Sequence, residues 1–263
     1  MKVDKFRTVI IYIIIILLGL VCLLPLLNIV AISFSSSAAV EGNMVGLIPV
    51  GFSTAAYKKI LEDSQFWHSF LISVERVVLT LIINFVLIVL MAYPLSKTNA
   101  QFRGRNIYAN LMIFAMLFNG GMIPTFLLVK SYGLLNTVWA LALPGAVPIF
   151  NVILVMNFFA AVPKELEEAA FIDGANPLQV LTKIFIPISK PVLATVSLFS
   201  IVGSWNDFYS GLIYMSKATY YPLMTYIQSL QINVEDLIKQ GNLSAVVDSA
   251  SLGNTNLNAA KIV

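Results

Sequence analysis

From Val9 to about Ile32 the chain stays apolar for long enough to cross a lipid bilayer. A helix needs about 20 mostly apolar residues for that, and only helices or closed barrels satisfy their backbone polar groups in hydrocarbon. Four further stretches qualify: Phe70 to Leu95, Ile107 to Val129, Val138 to Ala160 and Val192 to Tyr214. All are too long and too continuously apolar for barrel strands, which alternate with polar residues. The predicted fold class is all-α, a polytopic transmembrane helical bundle, with residues 1–263 forming a single transmembrane domain. Another apolar stretch begins at Ala259 and is cut off at Val263, so a sixth, truncated helix is expected.

Composition agrees. Apolar residues make up 59% of the chain and charged residues 11%, against about 45–50% and about 25% in soluble domains. The net charge of +3 is mild and dispersed, which argues against a nucleic-acid partner. The single cysteine, Cys22, lies inside the first run, so neither an intramolecular disulfide nor a thiolate cluster is possible. That first run exceeds the about 7–15 residues of a signal-peptide core. It reads as a retained span, although SFSSSAA, Ser33 to Ala39, could mimic a processing site.

Lys and Arg set the orientation. With the N terminus inside, Lys2, Lys5, Arg7, Lys97, Arg103, Arg105, Lys164, Lys183 and Lys190 are cytoplasmic, and Lys58, Lys59, Lys130, Lys217, Lys239 and Lys261 are outside. The inner loops are short and the outer ones, 34–69 and 215–258, are long, so the bias favours a cytoplasmic N terminus.

One charged segment, 163–187, interrupts the apolar pattern on the cytoplasmic side. Pro163 precedes a short run of helix formers, Leu166 to Ile172, and Asp173-Gly174 is a stop signal. Asn176-Pro177 starts a second helical piece, Leu178 to Ile186, which Pro187 is expected to end. Such a helix-turn-helix lies across the membrane face, either as an ordinary solvated loop or as a surface for another protein.

Glu168-Ala169-Ala170, three residues, Gly174, nine residues, then Ile184-x-Ile186-Pro187 resembles the EAA signature of permease subunits in ABC importers. Ile186 replaces the usual Leu. The resemblance implies a type I importer permease fold in a bacterial cytoplasmic membrane, and a coupling helix that docks in a cleft of an ATPase subunit. Glu168 would be the polar anchor, Ala169 and Ala170 the close-packing face, and Asp173, Gly174 and Pro187 part of the same coupling element. Ile48 to Phe66, Tyr132 to Thr137 and Ser204 to Phe208 are similar to segments of the carbohydrate-importer branch, the maltose-type and lipoprotein-linked oligosaccharide permeases. The implied partners are a second homologous permease, two cytoplasmic ATPases, an extracytoplasmic solute-binding protein, membrane lipid and a carbohydrate substrate. ATP and Mg would be bound by the ATPases, and this chain would bind no cofactor itself. Alternatives are a permease for another solute, such as an amino acid or peptide, and a polytopic membrane enzyme. Against an enzyme, the chain has no H-E-x-x-H or G-x-S-x-G; against ATP binding by a Walker loop, it has no Gly-Lys pair.

Breaks in membrane helices mark binding sites and gates. Asn119, Gly120 and Gly121 interrupt the third stretch and Pro144 with Pro148 the fourth, as pathway elements or as tolerated kinks. Trp205, Asn206 and Asp207 combine an aromatic face with hydrogen-bonding groups, suited to a sugar, although an interfacial belt role fits Trp205 and Tyr209 equally. Glu75 and Arg76, adjacent and so not facing each other, read as a polar stop at the outer boundary. His68 has no ligand-spaced neighbour, which makes it an interfacial residue and leaves no metal site.

Overall fold

The structure, a computed structural model, describes residues 5–230; the stretch at Ala259 to Val263 lies outside them. The chain divides into two compact units, residues 69–225 and, among the described residues, 5–68 with 226–230.

The smaller unit opens with α1, Lys5–Ser33, followed by α2, Ser37–Glu41, α3, Ala55–Glu62, and the first turn of α4, Ser64–Leu95. From Val9 to Leu27 nearly every large side chain of α1 is exposed, on all faces, which suits a helix surrounded by lipid or by another membrane chain. Beyond its end, Phe34 stacks on Phe52 and meets Tyr57 at a tilt of 30°, and the Ser33 and Tyr57 hydroxyls pair at 2.8 Å. Tyr226 donates its hydroxyl proton to Asp63 at 2.8 Å. Burial, reinforced by that carboxylate, holds the phenol well above its ordinary pKa, so it remains a donor throughout the physiological range.

The larger unit continues α4 and adds α5, Arg105–Leu117, α6, Met122–Ser131, α7, Val138–Ala142, α8, Ile149–Ala160, α9, Lys164–Ile172, and α10, Pro177–Val180. A π-helical turn, Leu181–Phe185, then leads into α11, Ile186–Ile188, α12, Lys190–Asn206, and α13, Tyr209–Tyr214. Its core joins Ile88, Ala92, Val152, Val155, Phe159, Phe185 and Val196.

Among the described residues two helices, α1 from Arg7 and α4, are long and apolar enough to cross a membrane by themselves. Three bent pairs raise the number to five if each counts as one span. The third apolar stretch bends by 109° between α5 and α6, at the Asn119-Gly120-Gly121 break. The fourth separates into α7 and α8 around Pro144 and Pro148. A break with no proline or glycine to announce it ends α12 at Asn206, and α13 starts two residues beyond Asp207.

Pro187 does not end its helix, contrary to the sequence expectation. Helical structure passes through it to Ile188, and the chain turns by 84° into α12. A proline ring collides with the carbonyl four residues earlier, here that of Lys183. Lys183 lies in the π turn, whose wider winding relieves that collision.

At Gly211 the fold leaves no room for a side chain: a Cβ there would collide with the fully buried Thr225, whose hydroxyl donates to the Phe208 carbonyl at 2.8 Å. Gly211→Ala is expected to destabilise the chain by about 1–3 kcal/mol through overpacking, read as a lower unfolding temperature in detergent. Thr225→Ala in the same chain should recover part of the loss.

Candidate functional site

The interior face of α4 is polar over its N-terminal part, as far as Asn84. Ser69, Ser73, Arg76, Thr80 and Asn84 recur every three or four residues and are buried, while Leu71, Val74, Val78, Ile82, Val86 and Leu90 are exposed on the opposite side. This inversion of ordinary amphipathicity places hydrogen-bonding groups where neighbouring helices are broken, and those groups satisfy backbone that a membrane interior would leave without partners.

Arg76, only 3% exposed, donates to the backbone carbonyl of Asp207 at 2.8 Å and forms an ion pair with its carboxylate. The other Asp207 oxygen accepts from the Ser210 amide at 3.1 Å, capping α13. Asn84 and Ser200 lie 3.1 Å apart. With the Asn84 amide oxygen accepting from Ser200, its nitrogen reaches the Gly145 and Ala146 carbonyls at 3.2 and 3.0 Å. One face of α4 thus serves both the 143–148 break and the break after α12.

These groups line a cavity of about 250 Å³, whose walls include Arg76, Thr80, Asn84, Asn151, Ser204 and Asp207. Arg76 and Asp207 neutralise each other, so the lining offers amides and hydroxyls around a compensated charge. Two of its buried polar atoms, Arg76 Nε and Thr80 Oγ1, have no hydrogen-bond partner within the described chain.

The second candidate surface is the α9–α10 turn. Glu165 and Glu167 lie in the first turn of α9, where the helix dipole favours acids. At its other end Gly174 has φ +82°. The Gly174 amide donates to Phe171 O at 3.1 Å and the Ala175 amide to Ala170 O at 2.9 Å, together a Schellman stop that requires a left-handed residue at Gly174. Asn176 and Gln179 then close a reciprocal capping box, each bond 2.9 Å, with Pro177 at the first helical position. Glu168, Ala169, Asp173, Gly174 and Ile172, the last 86% exposed, face outward. Ala170 is half-buried and packs against the chain's own core. Glu167, beside Glu168 in sequence, is turned inward onto Lys97, whose Nζ lies 2.7 Å from both carboxylate oxygens.

A family model described as the binding-protein-dependent transport system inner membrane component matches residues 2–247. The chain belongs to that family. It is therefore the membrane component, the permease, of a transport system that works with a binding protein. The permease is 42% identical over 214 residues to Protein LplC of Bacillus subtilis, covering 81% of this chain and 72% of the relative. It is 37% identical to the polygalacturonan/rhamnogalacturonan transport system permease protein YtcP of the same organism, covering 99% and 90%. Among solved structures it resembles a chain of a bacterial ABC transporter involved in the import of the acidic polysaccharide alginate, with a TM-score of 0.85 and 32% identity over all of this chain and 92% of that one. The type I importer permease fold expected from the EAA-like spacing is borne out by these matches.

The sequence-predicted residues of the permease fall in different places. Asp207 lines the cavity, whereas Asn206 is exposed and Trp205 is half-buried, edge-on to Phe70 at 5.9 Å. Asn119, Gly120 and Gly121 are exposed at the α5–α6 bend and do not line the cavity. Arg76 corrects the sequence reading: it does not snorkel but is a buried partner of Asp207, while its neighbour Glu75 is exposed. Sequence reasoning missed Thr80, Asn84, Asn151, Ser200 and Ser204. The signal was present in the four-residue recurrence of polar side chains along an otherwise apolar helix.

Proposed function

We propose that this permease forms half of a translocation pore for an oligosaccharide or related carbohydrate, driven by ATP hydrolysis on partner subunits. The observation that carries the substrate class is the compensated, amide- and hydroxyl-lined cavity at two helix breaks, together with relatives along nearly the whole chain whose names specify polysaccharides. At about 250 Å³ it lies just under the about 300–1,000 Å³ of drug-sized ligand pockets. It therefore suits one sugar ring at a time rather than a folded oligomer, with Thr80, Asn84, Asn151 and Ser204 bonding hydroxyls. Relatives named for polysaccharides, matching 99% and 100% of this chain, favour this reading over the amino-acid alternative.

In this reading the N terminus is cytoplasmic and α9–α10 faces two ATPases, which bind ATP and Mg. A second homologous permease completes the pore, and a solute-binding protein docks on the outer loops. Glu168, Ala169, Asp173 and Gly174 form the docking face, and Pro187 keeps the following helix in register. Binding-protein arrival and ATP-driven closure alternately expose the pathway. Asn119, Gly120 and Gly121 supply a bend beside that pathway, and Trp205 and Asn206 flank its α12 end.

The test is co-purification of the permease from gently solubilised membranes. Glu168→Lys reverses an exposed charge, so the chain should fold and insert as before while the ATPase is lost from the preparation. An ATPase retained at wild-type level would remove Glu168 from the docking face. Uptake of labelled galacturonan and alginate oligosaccharides, set against a labelled amino-acid mixture, decides the substrate class; accumulation of amino acids alone would overturn the carbohydrate reading.

A further inference from the structure

Lys97 lies just beyond the cytoplasmic end of α4, and its ammonium sits in a cage drawn from three parts of the larger unit. Both oxygens of Glu167, on α9, lie 2.7 Å away. The Tyr93 ring, in the last turn of α4, is 4.1 Å from the Nζ, and the Phe185 ring, at the end of the π turn, is 4.2 Å away. The side chains of Lys97 and Glu167 are only 12% and 11% exposed. The two rings meet edge to face at 5.1 Å, and Phe185 does the same with Phe159 of α8 at 5.4 Å.

An ammonium facing a carboxylate and two ring faces is held from several directions. An exposed loop ion pair would yield under load, since such pairs contribute about 0–1 kcal/mol; this pair is desolvated and backed by the core. The same turn of α4 is also tied by Arg105, whose Nε donates to the Leu95 carbonyl at 2.9 Å. A displacement of α9 therefore meets α4 through a stiff connection. α4 is the helix whose polar face holds the breaks around the cavity.

We propose that the caged Lys97–Glu167 pair is the mechanical joint that carries movement of the α9–α10 turn into α4 and so to the cavity. Glu167 and Lys97 are positioning residues here: Glu168 faces the partner outward and Glu167 grips the permease's own span inward. This inference rests on the proposed function, because it supposes that a partner moves α9. The charge, the shape and the two rings must act together. Lys97→Arg keeps all three contacts, Lys97→Met keeps length without charge, and Glu167→Gln keeps shape without charge.

The experiment uses the complex purified with its own ATPase and reconstituted in nanodiscs. Cys22, the only cysteine, is replaced by serine, and spin labels are placed at exposed positions 165 on α9 and 90 on α4. Their separation is measured with ADP and with ATP plus vanadate. In the wild type and Lys97→Arg the two labels should move as one body, leaving the separation unchanged between nucleotides. In Lys97→Met and Glu167→Gln it should shift or broaden on the about 1–2 Å scale of helix displacements in switching proteins, with ATPase content unchanged and the double variant no worse than either single. Equal separations in all variants, or additive effects of the two substitutions, would overturn the joint while leaving the permease reading intact. A wild-type chain that captures no ATPase would overturn the proposed function and the joint with it.

Discussion

Asp207→Ala should be the most damaging single substitution in the polar interior, and it should be worse than Arg76→Met. The pair is asymmetric: the Arg76 side chain is 4% exposed, whereas that of Asp207 keeps 31% of its surface. Removing Asp207 leaves a buried guanidinium with, among the described residues, only the residue 207 carbonyl as an acceptor. Breaking a buried pair from that side costs about 3–5 kcal/mol. Removing Arg76 instead leaves a carboxylate that water can still reach and that the Ser210 amide still bonds, so the loss should be smaller. The Asp207 carbonyl would lose its partner too, which keeps the loss well above zero. Thermal unfolding of the purified permease in detergent ranks the two. If Arg76→Met proves the more damaging, the pair does not hold the α12 break as described.

The second large effect is expected at Gly174, and it should depend on backbone rather than bulk. A Cβ at this position would meet nothing within 4 Å, so size alone is tolerated. The φ of +82° is what a β-branched residue resists. Left-handed backbone costs an ordinary residue about 1–2 kcal/mol, while Asn visits it readily. Gly174→Val should therefore unseat the Schellman stop, lower the share of chains with a correctly presented turn by about tenfold, the equivalent of about 1.4 kcal/mol, and reduce ATPase capture accordingly. Gly174→Asn should retain most of it. Equal capture by the Val and Asn variants would show that φ at this turn does not govern docking.

Much of the fold was readable from the chain alone because lipid imposes a simple demand, about 20 apolar residues without interruption. The α5–α6 bend was legible too, since two adjacent glycines followed by a proline announce it. The break after α12 was not legible, because no glycine or proline stands between Trp205 and Tyr209; a side chain from α4 stabilises it, and Arg76 and Asp207 are 131 residues apart. Local spacing assigns Arg76 to a boundary beside Glu75, and only tertiary structure gives it a partner. At the α9 turn the sequence singled out Glu168 by its place in a spaced pattern. It could not separate the outward Glu168 from the inward Glu167, because adjacent helical residues differ by about 100° in direction and nothing in the sequence says which direction faces Lys97.

The separation between Arg76 and Asp207 also has a meaning for the order in which the protein is made. Translation at about 5–20 residues per second places roughly 7–26 s between the appearance of Arg76 and that of Asp207. During that interval α4 must enter the bilayer with its arginine unanswered, an insertion penalty of at most about 2.5–3.5 kcal/mol, the cost at a helix centre. The leucines, isoleucines and valines of α4, each favouring insertion by about 0.3–0.6 kcal/mol, are numerous enough to offset it. The outward greasy face thus does its first work on the nascent chain, holding a helix in the membrane until the acid that completes it has been synthesised.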